Sequence, residues 1–334
     1  MNIVFAVIFS ICSALFTKVF WRLAQNTRLM DKPNNRSSHT IPVVRGGGLV
    51  FIGLIVLALP LLCFYNQTSF YDFIPFIMSI VLLAMVSFID DLYNLSFKIR
   101  LLFQTLIAVV LAISYWPYHL QFLLFDLSNP AVVLIFVVLG TLWSINHFNF
   151  MDGIDGLCAL QAVFLCAAYG LLFCLSQAFL YQDFCLLIVF SLLGFLVFNF
   201  PPAKLFMGDV GSAVLGLIVF AIALIAQQKF QIPIVYWFLL NALFLFDATF
   251  TLIRRMIRKE NWTAAHRKHA YQRLKQAGMN NRLILLGQGL VNLCFLILVL
   301  LVFSEKLSVD LALLLEFMGL SLIYFLIESV EPMV

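Results

Sequence analysis

Twelve residues near the middle of the chain, Asn146 to Leu157, read NHFNFMDGIDGL. They hold two asparagines (Asn146, Asn149), two aspartates (Asp152, Asp155) and two glycines (Gly153, Gly156). Carboxylates three residues apart share one face if the segment is helical. Glycine permits a tight bend or a close backbone approach to a ligand. Carboxylates, amides and a pliable backbone suit a hydrated magnesium ion and a phosphorylated substrate. The stretch lies between two long apolar runs, where a plain connecting loop needs none of these groups. His147 reads as a boundary histidine, because no other histidine stands at ligand spacing from it.

Asp90 and Asp91 sit side by side in FIDDLYNLSFKIR. A charged aspartate at mid-bilayer costs about 2.5–3.5 kcal/mol on insertion scales, so the pair belongs at an aqueous boundary. Adjacent acids repel unless a cation or a proton relieves them. A metal-bridged substrate does this, and one of the pair can then serve as a base. Lys98 and Arg100 follow within reach of phosphates. Further on, residues 198 to 212 read FNFPPAKLFMGDVGS. Pro201-Pro202 breaks a helix. Asp209, bracketed by Gly208 and Gly211, is a candidate metal ligand, with Asn199 and Lys204 as polar helpers. The bland alternative is an acid at the start of the next helix, where it meets the positive end of the dipole.

Two basic loops complete the inventory. Residues 31 to 48, DKPNNRSSHTIPVVRGGG, mix turn formers with Arg36, His39 and Arg45 and close on three glycines. Glycine amides and guanidinium groups can cradle phosphate. The same glycines also suit helix packing at the start of a span. Residues 254 to 282 contain HRKHAYQRL, in which His266, Arg267, Lys268 and His269 form a dense patch. Two histidines three apart, with no Cys or Asp partner, make a poor zinc site. A diphosphate or an anionic lipid suits them better. Asp247 lies inside an apolar run, about two turns before Arg254-Arg255, and an acid there is either functional or paired with a neighbouring arginine.

The elements that carry these clusters follow from composition. Of 334 residues, 63% are hydrophobic and 11% charged, and mean hydropathy is +1.05. Continuous apolar runs near twenty residues predict an all-α, polytopic helical membrane protein rather than a barrel. The predicted spans are 3–22, 46–64, 73–89, 99–116, 131–147, 157–176, 184–200, 210–228, 232–253, 283–303 and 308–327. The first reads as an uncleaved span that starts outside. No polar linker divides the chain, so residues 1–334 are expected to form one membrane domain, with 254–282 as its large cytoplasmic loop. With the N-terminus outside, all Lys and Arg except Lys229 and Lys306 fall on the cytoplasmic side. Asp31, Asp90, Asp91, Asp152, Asp155 and Asp209 fall there too. The chemistry is therefore expected at the inner membrane surface. The cysteines read as buried free thiols, since none forms a CxxC pair. A nucleic-acid partner is excluded for a chain this apolar.

Taken together and in this order, five strings resemble one family: DKPNNRSSH with PVVRGGG, FIDDLYNLSFKIRLLFQ, NHFNFMDGIDGL, PPAKLFMGDVGS and HRKHAYQRL. The family is the polyprenyl-phosphate N-acetylhexosamine-1-phosphate transferases, also called glycosyltransferase family 4. The strings cover residues 31 to 275, and the family's architecture is ten or eleven spans. The resemblance implies transfer of a sugar 1-phosphate from a UDP-sugar to a polyprenyl phosphate, with release of UMP. It implies that Asp90 and Asp91 serve catalysis and lipid-phosphate activation, and that Asp209 binds magnesium, with manganese as the alternative. Asn146, Asn149, Asp152 and Asp155 match the nucleotide and active-site motif, and Asn199 a polar position before the magnesium motif. His266, Arg267 and His269 match the basic loop that holds the sugar nucleotide.

Within the family, the first loop and HRKHAYQ look closest to the bacterial O-antigen-initiating branch, with UDP-N-acetylfucosamine-like or quinovosamine-like donors. The three-histidine run of the muramoyl-pentapeptide branch is absent. The expectation is an inner-membrane enzyme that loads undecaprenyl phosphate and initiates a lipid-linked O-antigen or lipopolysaccharide glycan. The alternative is the same reaction with UDP-GlcNAc. Direct attack and a two-step route through an aspartyl-phosphate both remain open. A transporter of an anionic solute is the rival from another class, and it predicts repeat symmetry and ionisable groups deep in several spans. Membrane lipids surround the protein, and a homodimer is a further expectation to which no residue points.

Overall fold

The computed structural model describes residues 3–31, 42–117, 119–121, 126–261, 264 and 266–333. Arg36 and His39 lie outside the described residues. The chain forms α1 (Ile3–Ala24), α2 (Gly48–Tyr65), α3 (Ile74–Tyr93), α4 (Phe97–Ser114), α5 (Pro130–Phe150) and α6 (Leu157–Leu175). These are followed by α7 (Phe179–Asn199), α8 (Gly208–Phe230), α9 (Val235–Leu240), α10 (Ala242–Ile257), α11 (Ala270–Gln276), α12 (Asn281–Phe303) and α13 (Val309–Val330). Among the described residues, ten helices are long and apolar enough to cross a membrane. Among the described residues, strand pairing consists of two antiparallel dipeptide pairs, Met30–Asp31 with Val43–Val44 and Leu120–Gln121 with Asp126–Leu127, and one parallel bridge between Val44 and Leu205.

One expected span departs from the prediction. Residues 232–253 do not form one continuous helix; the helix breaks at Asn241, between α9 and α10. The break is held by polar side chains. Asn241 Nδ2 lies 2.8 Å from His147 Nε2, and His147 Nδ1 lies 2.7 Å from the Trp143 carbonyl oxygen. The pattern fits one tautomer, in which Nδ1–H donates to Trp143 and Nε2 accepts from Asn241. Both side chains are fully buried. His147 is thus a structural pin between α5 and the α9–α10 break.

The bundle is built around α8. Every residue from Val210 to Gln227 is buried, and α8 packs on α2, α3, α5 and α6. Its apolar side chains face neighbours on all sides, as a fully enclosed helix requires. Small residues set the distances, as is usual where lipid gives no hydrophobic drive for helix association. A Cβ on Gly48 would stand 2.4 Å from Gly211 Cα, so α2 and α8 cross in backbone contact. A Cβ on Gly216 would stand 2.3 Å from the Ser144 carbonyl oxygen, and Ser144 Oγ donates to the Gly216 carbonyl at 2.7 Å. The connections place the C-terminal ends of α3, α5 and α7 beside the N-terminal ends of α4, α6 and α8. Every acid motif of the sequence lies at that one end.

Gly216→Ala tests the α5–α8 crossing. Overpacking of a close contact costs about 1–3 kcal/mol. A lowered midpoint of thermal unfolding in detergent is expected. An unchanged midpoint would show that α5 and α8 do not meet there.

Candidate active site

The site begins with a helix cap. Asp91, in the last turn of α3, has a side chain with no solvent exposure. Its Oδ1 accepts from Asp209 N at 3.1 Å and its Oδ2 from Val210 N at 3.3 Å. A carboxylate there satisfies orphan amides of α8 and meets the positive end of its dipole. Arg45 completes the arrangement, with Nη2 2.8 Å from Asp91 Oδ1 and 2.5 Å from Asp209 Oδ1. Gly208 makes the approach possible: its φ is +76°, and a Cβ on it would stand 2.6 Å from Asp91 Oδ2. The Asp91 carboxylate therefore holds Asp209 in place.

Asp90 faces the other way. Its Oδ1 accepts from Leu95 N at 2.7 Å and its Oδ2 from Arg100 Nη1 at 3.0 Å. The same guanidinium nitrogen lies 3.9 Å from Asp209 Oδ2. Asn94, left-handed at φ 53°, ends α3 and lets the chain turn back. α4 then rises with Arg100 and Gln104 one turn apart. Gln104 Oε1 accepts from Asn146 Nδ2 at 2.9 Å, which ties α4 to α5.

The Asp152–Asp155 loop joins this end from α5. Asp155 Oδ2 accepts from Ala203 N at 3.1 Å. Asn199 Oδ1 accepts from Gly156 N at 3.1 Å, and its Nδ2 donates to the Leu205 carbonyl at 2.9 Å. Asn199 is buried with both ends of its amide engaged by backbone, so it braces two loops rather than presenting a group to a ligand. Asp155 is likewise a brace in this geometry. Asp152 receives no hydrogen bond among the described residues. Burial raises its carboxyl well above the usual range, and Asp209 adds to the rise; Arg45 opposes it, while Asp91 and Asp155 push the same way. A cluster of this kind draws a cation.

The basic loop folds over the site as an arm. Asp247, the acid inside α10, accepts from Ala270 N with both oxygens at 2.9 Å and from Thr251 Oγ1 at 3.0 Å. It also lies 3.5 Å from His269 Nδ1. Among the described residues its partner is therefore the arm and not an arginine. His269 stacks between Phe150 and Tyr271, and Tyr271 Oη donates to the Phe150 carbonyl at 3.0 Å. Lys268 N donates to His266 Nδ1 at 3.2 Å, which leaves the proton of the neutral ring on Nε2. Arg255 ties down the start of the loop through Glu260 at 3.1 Å and the carbonyls of Asn261 and Ala264.

These parts enclose a cavity of about 720 Å³. Asp90, Asp209, Arg100, Asn146, Asn149, His266 and His269 line it, and they are the residues that the sequence pointed to. Leu83, Leu101, Leu139 and Trp143 give it apolar walls. Eight expected residues are placed otherwise. Asp91, Asp152 and Asp155 stand outside the lining. Lys98 and Lys204 are exposed and outside the lining, and Arg267 is not part of it. Arg45 stands on Asp91 and Asp209, and Asn199 is a brace. The glycine run offers no phosphate cradle from Gly47 and Gly48, whose amides donate to the carbonyls of Phe206 and Met207 at 2.9 Å. Gln104 and Arg255 line the cavity without having been singled out. Gln104 had a signal, a polar residue one turn from Arg100 within an apolar run. Arg255 had none beyond its charge.

A divalent ion can be tested against this donor set. Among the described residues no three His, Cys, Asp or Glu side chains form a ready-made cage. Magnesium commonly takes one or two carboxylates and completes its shell with water and substrate phosphates. Asp209, half-buried and facing the cavity beside Asp152, fits that mode. The Arg45 guanidinium already bridges the acids where positive charge is wanted.

The sequence model described as glycosyl transferase family 4 matches residues 73–227. The chain is similar to a probable undecaprenyl-phosphate N-acetylglucosaminyl 1-phosphate transferase of Bacillus subtilis, 31% identical over 305 residues, which is 88% of this chain and 83% of the relative. It is similar to the undecaprenyl-phosphate alpha-N-acetylglucosaminyl 1-phosphate transferase of Escherichia coli K12, 28% identical over 80% of this chain and 76% of the relative. A phospho-N-acetylmuramoyl-pentapeptide-transferase of Staphylococcus epidermidis is 28% identical over 57% of this chain and 64% of the relative.

A pH prediction follows from the arm. Burial, then the neighbouring His269 and Arg255, push the His266 imidazole down to about 4, against about 6.5 for a free ring. Between those values the unfolded chain binds a proton on this ring and the folded chain does not. The stability supplied by the neutral ring is complete above pH 6.5 and is lost as pH falls toward 4. His266→Gln should flatten the fall of the thermal midpoint over that window. A variant with the wild-type slope would contradict the burial of His266.

Proposed function

The chain belongs to glycosyl transferase family 4, the polyprenyl-phosphate hexosamine-1-phosphate transferases, and from that premise we propose that it transfers N-acetylglucosamine 1-phosphate from UDP-N-acetylglucosamine to undecaprenyl phosphate and releases UMP. One observation carries the reading. The cavity has a polar end of acids, amides and histidines and walls of leucine and tryptophan, as a meeting place for a sugar nucleotide and a lipid phosphate requires. The relatives aligned over most of the chain carry N-acetylglucosaminyl in their names, while the muramoyl-pentapeptide relative aligns over little more than half. That weighs for N-acetylglucosamine ahead of the fucosamine-like or quinovosamine-like donor expected from the basic loop. Charge asymmetry supports a bacterial inner membrane with the site on the cytoplasmic face, where the product starts a lipid-linked glycan.

The proposed chemistry is a single displacement. An oxygen of the lipid phosphate bonds to the sugar-bearing phosphorus as the bond from that phosphorus to the bridging oxygen breaks. The electron pair leaves with UMP. Asp90 faces the cavity and accepts the proton of the lipid phosphate, or keeps that phosphate dianionic. The second phosphate pKa is near 6, so the proton-accepting contribution is modest. Asp209 is the residue that would hold a magnesium ion, with manganese as the alternative. When bound, the ion offsets charge on the phosphoryl oxygens. Arg100 and Arg45 add fixed positive charge beside them. His266 and His269 reach the cavity from the arm, where they donate to the diphosphate or the uridine. Asn146 and Asn149 contribute neutral polar groups to the wall.

UMP release by purified protein in detergent tests this. Release should require undecaprenyl phosphate and a divalent ion, and stop with EDTA. Asp209→Asn should lower it by about 10²-fold or more, and Asp90→Asn by about 10²-fold, the low end for a lost general base. Wild-type rates in Asp90→Asn would remove the proton-accepting role. Release with another UDP-N-acetyl sugar but not with UDP-N-acetylglucosamine would correct the donor.

A further inference from the structure

The arm has an anchor far from the reacting groups. α11 carries on directly from His269 and inserts Arg273 beneath the end of α13. The Arg273 side chain is 1% exposed. Its Nη1 donates to Glu328 Oε2 at 2.6 Å and to the Glu331 carbonyl at 3.1 Å. Its guanidinium carbon lies 4.6 Å from the centre of the Tyr324 ring. The same Glu328 accepts a paired bond from Arg254 at the end of α10, with Nη1 at 2.7 Å and Nη2 at 2.9 Å. Met333 N donates to Glu328 Oε1 at 3.2 Å, and Arg258 reaches the Met333 carbonyl. One carboxylate thus joins the end of α10, the arm and the last residues of the chain.

α11 is seven residues long. A helix this short is not stable on its own, so its position comes from what holds it. Three points do so: Asp247 at its first amide, the Tyr271 hydroxyl on the Phe150 carbonyl, and Arg273 on Glu328. Asp247 and Tyr271 adjoin the cavity wall. Glu328 touches neither the wall nor the acids at the reacting end. Two arginines converge on Glu328, one of them buried, and removal of a partner from a buried charge is strongly destabilising for the local structure. The acids at the reacting end are held separately, through Asp91 of α3 on the first amides of α8 and through Arg100 of α4.

We propose that Glu328 is a positioning residue for the sugar nucleotide: through Arg273 and Arg254 it fixes the arm that presents His266 and His269 to the cavity. The inference rests on the reading of that arm as the part that holds the donor. A lost anchor lets the arm drift, which weakens donor binding. The acids keep their geometry, so turnover at saturation and use of the lipid phosphate are little changed.

The test compares Glu328→Gln with the wild type in UMP-release kinetics, equilibrium binding of UMP by calorimetry, and thermal unfolding. The expected result is a rise of about tenfold in KM for UDP-N-acetylglucosamine and in the UMP dissociation constant, with kcat and the KM for undecaprenyl phosphate within about twofold. Unchanged UMP affinity would overturn the proposal. So would a joint fall of kcat, both affinities and the thermal midpoint, which marks a merely structural role. If Glu328→Gln is not recovered folded, Arg273→Lys keeps the charge but not the forked geometry. The same split is then expected, and its absence overturns the proposal. Wild-type protein that binds no UMP would overturn the reading of the arm itself. Wild-type binding that Glu328→Gln and Arg273→Lys both preserve would overturn the anchor alone.

Discussion

The structure depends on one buried carboxylate in a place where charge is expensive. Asp91 has no solvent exposure, and its oxygens are taken up by two amides of α8 and the Arg45 guanidinium. Without those partners an ionised acid at the edge of an apolar bundle would neutralise itself or move to water. With them, the first turn of α8 is locked to α3 and to the segment before α2. Because α8 packs on α2, α3, α5 and α6, this junction also sets those helices relative to the site. Asp209 is presented to the cavity as a consequence.

The surrounding polar groups divide by what their hydrogen bonds leave free. Asp155 Oδ2 and Asn199 Oδ1 accept from backbone amides and brace the loops. Asp90 keeps its place through Leu95 and Arg100 and still faces the cavity. Asp152 is crowded by other acids. Arg45 bridges Asp91 and Asp209, and Arg100 pairs with Asp90.

Much of this was legible in the sequence, and the remainder has physical reasons. Apolar run length and charge asymmetry gave the helical membrane class directly. Carboxylates and amides between apolar runs pointed to Asp90, Asp209, Asn146 and Asn149, and these four line the cavity. Lys98 and Lys204 could not be separated from phosphate ligands, since a cytoplasmic lysine obeys the same charge rule whether or not it touches substrate. Asp91 could not be recognised as a cap, because the amides it holds are 118 positions away. The break at Asn241 was hidden for the same reason, its partner His147 lying 94 residues earlier. Asn199 misled because a buried amide between two loops and an amide offered to a ligand look alike in a string of letters.

The central claim is that Asp209, set by Asp91, is where a metal-bound sugar nucleotide meets the lipid phosphate. The most direct measurement is manganese binding, followed by electron paramagnetic resonance, with and without UDP-N-acetylglucosamine. Wild-type protein should bind manganese far more tightly when the sugar nucleotide is present, since phosphate oxygens complete the shell. Asp209→Asn should lose that binding, and Asp91→Asn should weaken it without touching the ion. Undiminished binding in Asp209→Asn, in protein shown to be folded, would contradict the account.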